Sequence, residues 1–178
     1  MVELIPATGT NSINKVLLKN LDTDKIAFFA PRSVSGTVEL IVRIIDNTSS
    51  LSVGSSVNTS DGYYSGLPTI TKLGVDKFAI GWNNNNNYSY IFSGVSVSGT
   101  TPTIGNGFSI SGASGDVVDS IYTCFYSENS GIVLYKKSTT TTPTMIHMTI
   151  SGSAVSNSKQ QTFSSVIVSP IITVDKFI

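Results

Sequence analysis

The chain has 178 residues, of which 40% are apolar and only 12% charged, with eleven basic and eleven acidic side chains and formal net charge zero. That is enough apolar mass for one domain with a packed core, and it is the opposite of the polar, highly charged composition of a disordered chain. With no basic excess to displace counterions from phosphates, nucleic acid is not expected as a partner, and no apolar run approaches the roughly 20 residues of a membrane-spanning helix.

Val, Ile, Thr, Phe and Tyr, which suit a pleated surface, alternate with Gly, Asn and Ser, which make turns; the helix-forming residues are sparse. The fold class read from this pattern is all-β. Residues 2–7, "VELIPA", read as the last strand of an incomplete unit. The opening segment carries no basic stretch followed by a long apolar one, so no secretory signal is expected. A cytoplasmic protein, or one assembled into a virion or surface structure, fits. Four strands are predicted over 14–21, 25–31, 37–46 and 50–58, and four more over 67–73, 77–83, 88–98 and 102–110. A third set covers 118–126, 131–137, 143–151 and 154–164. Residues 166–172 begin a fourth set, whose second strand starts at 176–178. The chain therefore reads as a single repeat domain, 1–178, with units at 12–60, 65–112 and 116–164 and a partial unit at 166–178.

Two anchors set the period. "LDTDKIAFFA" returns as "LGVDKFAIGW" and again as "ITVDKFI", placing Ile26 and Phe78 at equivalent points 52 residues apart; "NSGIVLYKK" supplies a degenerate copy with Ile132 at that point. "VSVSGTTPTIG" matches "MTISGSAVSNS", making Val97 and Ile150 equivalent, with Ile45 in the same role in the first unit and Asp46-Asn47 replacing the Ser-Gly turn. In "KFAIGW", Phe78, Ile80 and Trp82 face one way and Ala79 and Gly81 the other, a bulky face and a slim one, as a sheet held between two neighbours requires. A motif that recurs at three corners reads as a turn: the Asp accepts backbone N–H groups, and the Lys opens the next strand in solvent, where it discourages edge pairing.

Four antiparallel strands every fifty or so residues is the pattern of a propeller blade. "LDTDKIAFFA", "LGVDKFAIGW", "GVSVSG" and "TPTIGNGFSI" resemble the units of a loose class of β-propeller repeats from bacterial, phage and some animal proteins. The resemblance implies a propeller-like array of about 3.5 four-stranded blades. A β-sandwich or other stacked-sheet fold is the alternative. No set of functional residues travels with these repeats. The third unit departs from the pattern, lacking the Asp-Lys corner.

Groups for catalysis are few. The lone histidine, His147, lies on one strand face with Met145 and Thr149, and reads as a satisfied sheet residue; the lone cysteine, Cys124, in "IYTCFY", reads as a small hydrophobe. A Cys124–His147 dyad lacks any supporting nucleophile or oxyanion motif. Asp22 with Asp24, and Asp116 with Asp119, continue into no calcium loop. No enzyme activity, catalytic residue, metal or cofactor is expected. Recognition remains. "WNNNNNYSY" offers Trp82, Asn84, Asn86, Tyr88 and Tyr90, and "DGYYSG" offers Asp61, Tyr63 and Tyr64: amides and carboxylates for sugar hydroxyls beside rings that stack on a sugar face. The competing reading makes these solvated hairpin tips whose aromatics belong to the flanking strands. The expected function is a non-enzymatic structural, assembly or surface-recognition module, as in a virus or phage particle, with protein partners or self-association. The alternative is a glycan-binding lectin or receptor-binding head.

Overall fold

The alternation of apolar and small or polar residues along runs bounded by Asn, Gly, Ser and Thr produces strands throughout. A computed structural model describes residues 12–13, 16–34, 37–48, 52–53, 57–59, 68–84, 89–110 and 117–163. Among them are fifteen strands, forming three antiparallel sheets, and no helix. Sheet 1 contains β1 (Ser12–Ile13), β2 (Leu17–Asn20), β3 (Lys25–Val34), β4 (Thr37–Asp46), β5 (Ser52–Val53) and β6 (Val57–Thr59). Both β1 and β2 pair with β3, and both β5 and β6 with β4, so the sheet is a four-row meander with interrupted outer rows. Sheet 2 holds β7 (Thr69–Gly74), β8 (Lys77–Asn84), β9 (Ser89–Ser98), β10 (Thr101–Ile104) and β11 (Phe108–Ile110), the last two sharing β9 as partner. Sheet 3 is β12 (Val118–Ser127), β13 (Ser130–Lys137), β14 (Thr144–Ser151) and β15 (Ala154–Thr162), paired in sequence order. Residues 2–7, the fourth set from 166 and the last corner at 175–177 lie outside the described residues.

The outermost hairpins explain their own turns. Ser98 pairs with Thr101 and Ser151 with Ala154, leaving two-residue loops that open on Gly99 and Gly152. Their φ values, +60° and +61°, are those that primed two-residue hairpins demand and that a side chain resists. In sheet 1 the same job falls to Asp46, whose Oδ1 accepts from the Thr48 amide at 2.9 Å and the Thr48 hydroxyl at 2.8 Å. The Thr48 amide, then its hydroxyl, hold the Asp46 carboxyl below its ordinary pKa.

The sheets stack face on face. One face of sheet 1, built from Ala27, Phe29, Val42 and Ile44, meets Phe78, Ile80, Trp82, Val95 and Val97 of sheet 2. The other face of sheet 2, with Ala79, Tyr90, Phe92 and Ile110, meets Val133, Tyr135, Ile146, Met148 and Ile150 of sheet 3. Each fully buried Phe or Ile in these layers stabilises the stack by about 1.5–3 kcal/mol. The outward face of sheet 1 is buried as well, in a smaller cluster of Phe28, Ala30 and Ile41 with Ile45 against it. The first rows of the three sheets run side by side, β2 next to β7 and β7 next to β12, and Thr71 and Thr123 join their hydroxyls across the second of these junctions at 3.0 Å.

The recurring corner is more than a turn. Lys25 Nζ reaches across to Asp76 Oδ1 of the next corner at 2.9 Å, and Lys77 Nζ reaches on to Asn129 Oδ1 at 3.0 Å. Each lysine therefore ties its own sheet to the one that follows, where the sequence had suggested a solvated strand start. The hydrogen bond to Asp76 raises the Lys25 pKa. Backbone bonds fix the matching positions: Asn47 N to Asp24 O, Val97 N to Asp76 O, and Ile150 N to Asn129 O, all at 2.9 Å. They confirm Val97 with Ile150 and correct two expected equivalences. Asn47, not Ile45, matches Val97, because the first inner hairpin is longer: Lys25 pairs with Asp46, whereas Lys77 pairs with Ser96. Gly131, not Ile132, matches Ile26 and Phe78. The Phe125 ring fills the space there, lying 2.3 Å from where a Gly131 Cβ would sit.

Candidate functional site

Two irregularities in sheet 3 converge on His147. Register shifts between Phe125 and Ser127 in the β12–β13 pairing, which leaves Tyr126 as an extra residue. It shifts again opposite His147 and Met148, whose partners are Lys159 and Asn157, which leaves Ser158 as the extra residue of β15. A bulge re-aims the side chain it carries. Here both re-aimed hydroxyls arrive at one imidazole: Tyr126 Oη is 2.5 Å from Nε2, and Ser158 Oγ is hydrogen-bonded to Nδ1. A neutral imidazole donates from one nitrogen and accepts at the other, so the chain Tyr126–His147–Ser158 is satisfied by either tautomer. The Tyr126 and His147 rings lie 6.2 Å apart and 29° from parallel.

The three side chains stand on the face of sheet 3 that points away from sheet 2. Ile132 and Met145 floor a groove of about 610 Å3 there, and Ser158, Lys159, Gln160 and Gln161 form its polar side. Tyr126 is 53% exposed and Tyr122, four residues earlier on the strand, 38%. At the register position of His147 the other two sheets carry Ile44 and Gly94. Both are covered there: Ile44 is buried in the sheet 1–sheet 2 core, and the Gly94 amide bonds Ser153 O of sheet 3 at 3.1 Å. Sheet 3 thus presents a hydrogen-bonded polar chain and open aromatic rings where its siblings present a docking surface.

No protein-family model, curated protein or solved structure matched the chain.

The residues singled out from the sequence fare differently. Trp82 is 2% exposed in the sheet 1–sheet 2 core, and Tyr90 is fully buried on the opposite face of sheet 2, its hydroxyl 3.1 Å from Thr69 Oγ1. Neither ring is available to stack on a ligand. The strict alternation that makes β8 and β9 strands also turns these two aromatics inward. Asp61, Tyr63, Tyr64, Asn86 and Tyr88 lie outside the described residues; of Asn84 the strand backbone is described, at the end of β8. Cys124 is partly buried on the same face as His147, but both imidazole nitrogens already hold hydroxyl partners. Asp22 turns its Oδ1 back to the Thr23 amide at 2.8 Å, and Asp119 pairs with Lys136 at 3.0 Å. Among the described residues no group of three or more metal-ligating side chains gathers. The His147 cluster was missed because its members sit 21 and 11 residues from the histidine and meet only through two bulges. The alternation of Tyr122, Cys124 and Tyr126 along one strand is the signal that could have pointed to it.

Proposed function

We propose that the chain is a non-enzymatic surface-recognition module, a propeller-type array of four-row sheets that presents the outward face of sheet 3 to its partner. The propeller reading is supported by the meander order within each sheet and by the first rows β2, β7 and β12 standing side by side, as blades do around an axis. The recognition reading is carried by the difference between the two ends of the stack. Phe28, Ala30 and Ile41 on the outward face of sheet 1 are buried, while Tyr122 and Tyr126 on the outward face of sheet 3 are exposed, and the same face carries the groove at His147. Exposed aromatic rings beside a polar rim mark interaction surfaces. Such a module suits a component of a viral or phage particle, where an uncharged, strand-rich body holds a recognition face outward.

The test is binding of the fluorescently labelled full chain to a panel of intact bacterial and animal cells. Saturable binding to at least one surface, abolished in the double variant Tyr122→Ala/Tyr126→Ala whose circular dichroism is unchanged, is the expected result. Binding to none of them, or binding indifferent to the double variant, overturns the reading.

A further inference from the structure

The recognition reading names a face; the chemistry of that face names a class of ligand, and this step rests on that reading. We infer that the Tyr126–His147–Ser158 face binds a saccharide that carries a carboxylate. The rings provide the stacking surface. Tyr126 and His147 lie close to parallel, and Tyr126 is more than half exposed. A half-exposed aromatic face is an apolar plane that the C–H face of a pyranose covers well, with polar groups left to be matched at the rim.

The rim supplies them: a hydroxyl from Ser158 and an amide from Gln161, the amide both donor and acceptor, as vicinal sugar hydroxyls require; Gln160 pairs with the inward-facing Ile146 and belongs to the opposite face. Charge decides the subclass. Lys159 sits directly across from His147 in the β14–β15 register, and among the described residues lining the groove it is the one cation, with no carboxylate beside it. A groove with an uncompensated positive charge favours an anionic group. The site is also prepared in advance. Both nitrogens of the His147 ring are held, so binding immobilises little that is not already fixed. An acidic peptide would use Lys159 but would leave the paired rings and the Gln161 amide without a role.

The experiment is a titration of the uniformly 15N-labelled full chain with the methyl glycosides of N-acetylneuraminic acid and glucuronic acid, with methyl β-galactoside as the neutral arm. Each is taken to roughly 20 mM, where millimolar binders saturate. Amide shifts are expected on β12, β14 and β15 around Tyr126, His147 and Lys159, with at least one acidic glycoside about fivefold tighter than the neutral one. Tyr126→Ala is expected to weaken binding about tenfold, Tyr126→Phe to keep it within about twofold, and Lys159→Gln to erase the acid preference. Equal affinity for acidic and neutral glycosides, or a preference that survives Lys159→Gln, overturns the carboxylate assignment. Shifts from a short poly-glutamate peptide with none from any glycoside overturn the saccharide assignment, as does silence from every probe. Cell binding that needs Tyr126 while no glycoside registers leaves the recognition face standing and this inference alone refuted.

Discussion

A single methyl group at Gly105 tests how the sheets are joined. Gly105 and Gly94 flank the place where the β14–β15 turn settles on sheet 2; the Gly94 amide bonds Ser153 O at 3.1 Å, and Val155 N bonds Asn106 O at 3.0 Å. A Cβ on Gly105 would lie 2.2 Å from Ser153 O and 2.3 Å from Ser153 C, and those are backbone atoms that no rotamer change removes. Gly105→Ala must therefore lift the turn. Overpacking of this kind costs about 1–3 kcal/mol, and the two backbone bonds it loosens add about 1 kcal/mol each, giving about 3–5 kcal/mol in all. With a guanidinium slope of about 4 kcal/mol per molar, the unfolding midpoint falls by about 1 M. Gly99→Ala is the control: it suffers an unfavourable positive φ but meets nothing within 4 Å, so its cost stays near 1–2 kcal/mol. The one tryptophan, Trp82, reports the sheet 1–sheet 2 core by fluorescence, while amide exchange at Val155 reports the docking of sheet 3. Gly105→Ala is expected to strip protection from Val155 before Trp82 responds. A midpoint change no larger than that of Gly99→Ala, with Val155 still protected, refutes the account of how sheet 3 is seated.

Other outcomes follow from the same geometry. Asn129→Asp turns the Lys77–Asn129 bond into an ion pair like Lys25–Asp76, and is expected to raise stability by about 0.2–1 kcal/mol in low salt, with the gain fading in 1 M salt; denaturation at two ionic strengths checks it. Trp82 Nε1 is buried without a hydrogen-bond partner, so Trp82→Phe removes an unsatisfied donor along with some volume. It should stay within about 1 kcal/mol of the parent while Trp82→Ala loses about 3–5 kcal/mol, as read from far-ultraviolet circular dichroism on guanidinium titration. The folded Asp46 carboxyl titrates below its unfolded value of 3.8, so its contribution is present above pH 3.8 and disappears as pH falls through the folded value. Asp46→Asn should flatten that part of the stability–pH curve, measured as thermal midpoints between pH 2 and 5; an unchanged slope would remove Asp46 from the account.

Much of the fold could be read from residue order. Alternation alone located β8, β9, β13 and β14 to within about two residues, because each is an inner row with both faces buried or half buried. The outer rows were harder. Single strands expected at 50–58 and 102–110 are each split, into β5 and β6 and into β10 and β11, where the edge row leaves its partner and returns to it. The third unit slipped by one residue because Asn129-Ser130-Gly131 offers no Lys to mark the corner. What sets its register is the Phe125 ring lying over Gly131, a partner on another strand. The site was less legible than the fold. Polar runs beside aromatics drew attention to Trp82 and Tyr90, yet a residue's exposure depends on which sheet covers its face, and local composition does not record that. Tyr90 is buried because sheet 3 covers its face, while Tyr126, carried on a bulge, stands on the face of sheet 3 that points away from sheet 2.

The two corner bonds run in the same direction, each lysine reaching toward the C-terminal sibling. The array consequently has a polarity, like a row of hooks and eyes. A module inserted or excised as a whole keeps every hook opposite an eye, whereas a module turned end for end would bring ammonium against ammonium. At the third corner the hook is replaced by Ser130, whose short hydroxyl cannot span the gap that Lys25 and Lys77 cross. Whatever is placed beyond sheet 3 must be held by its face rather than by this seam.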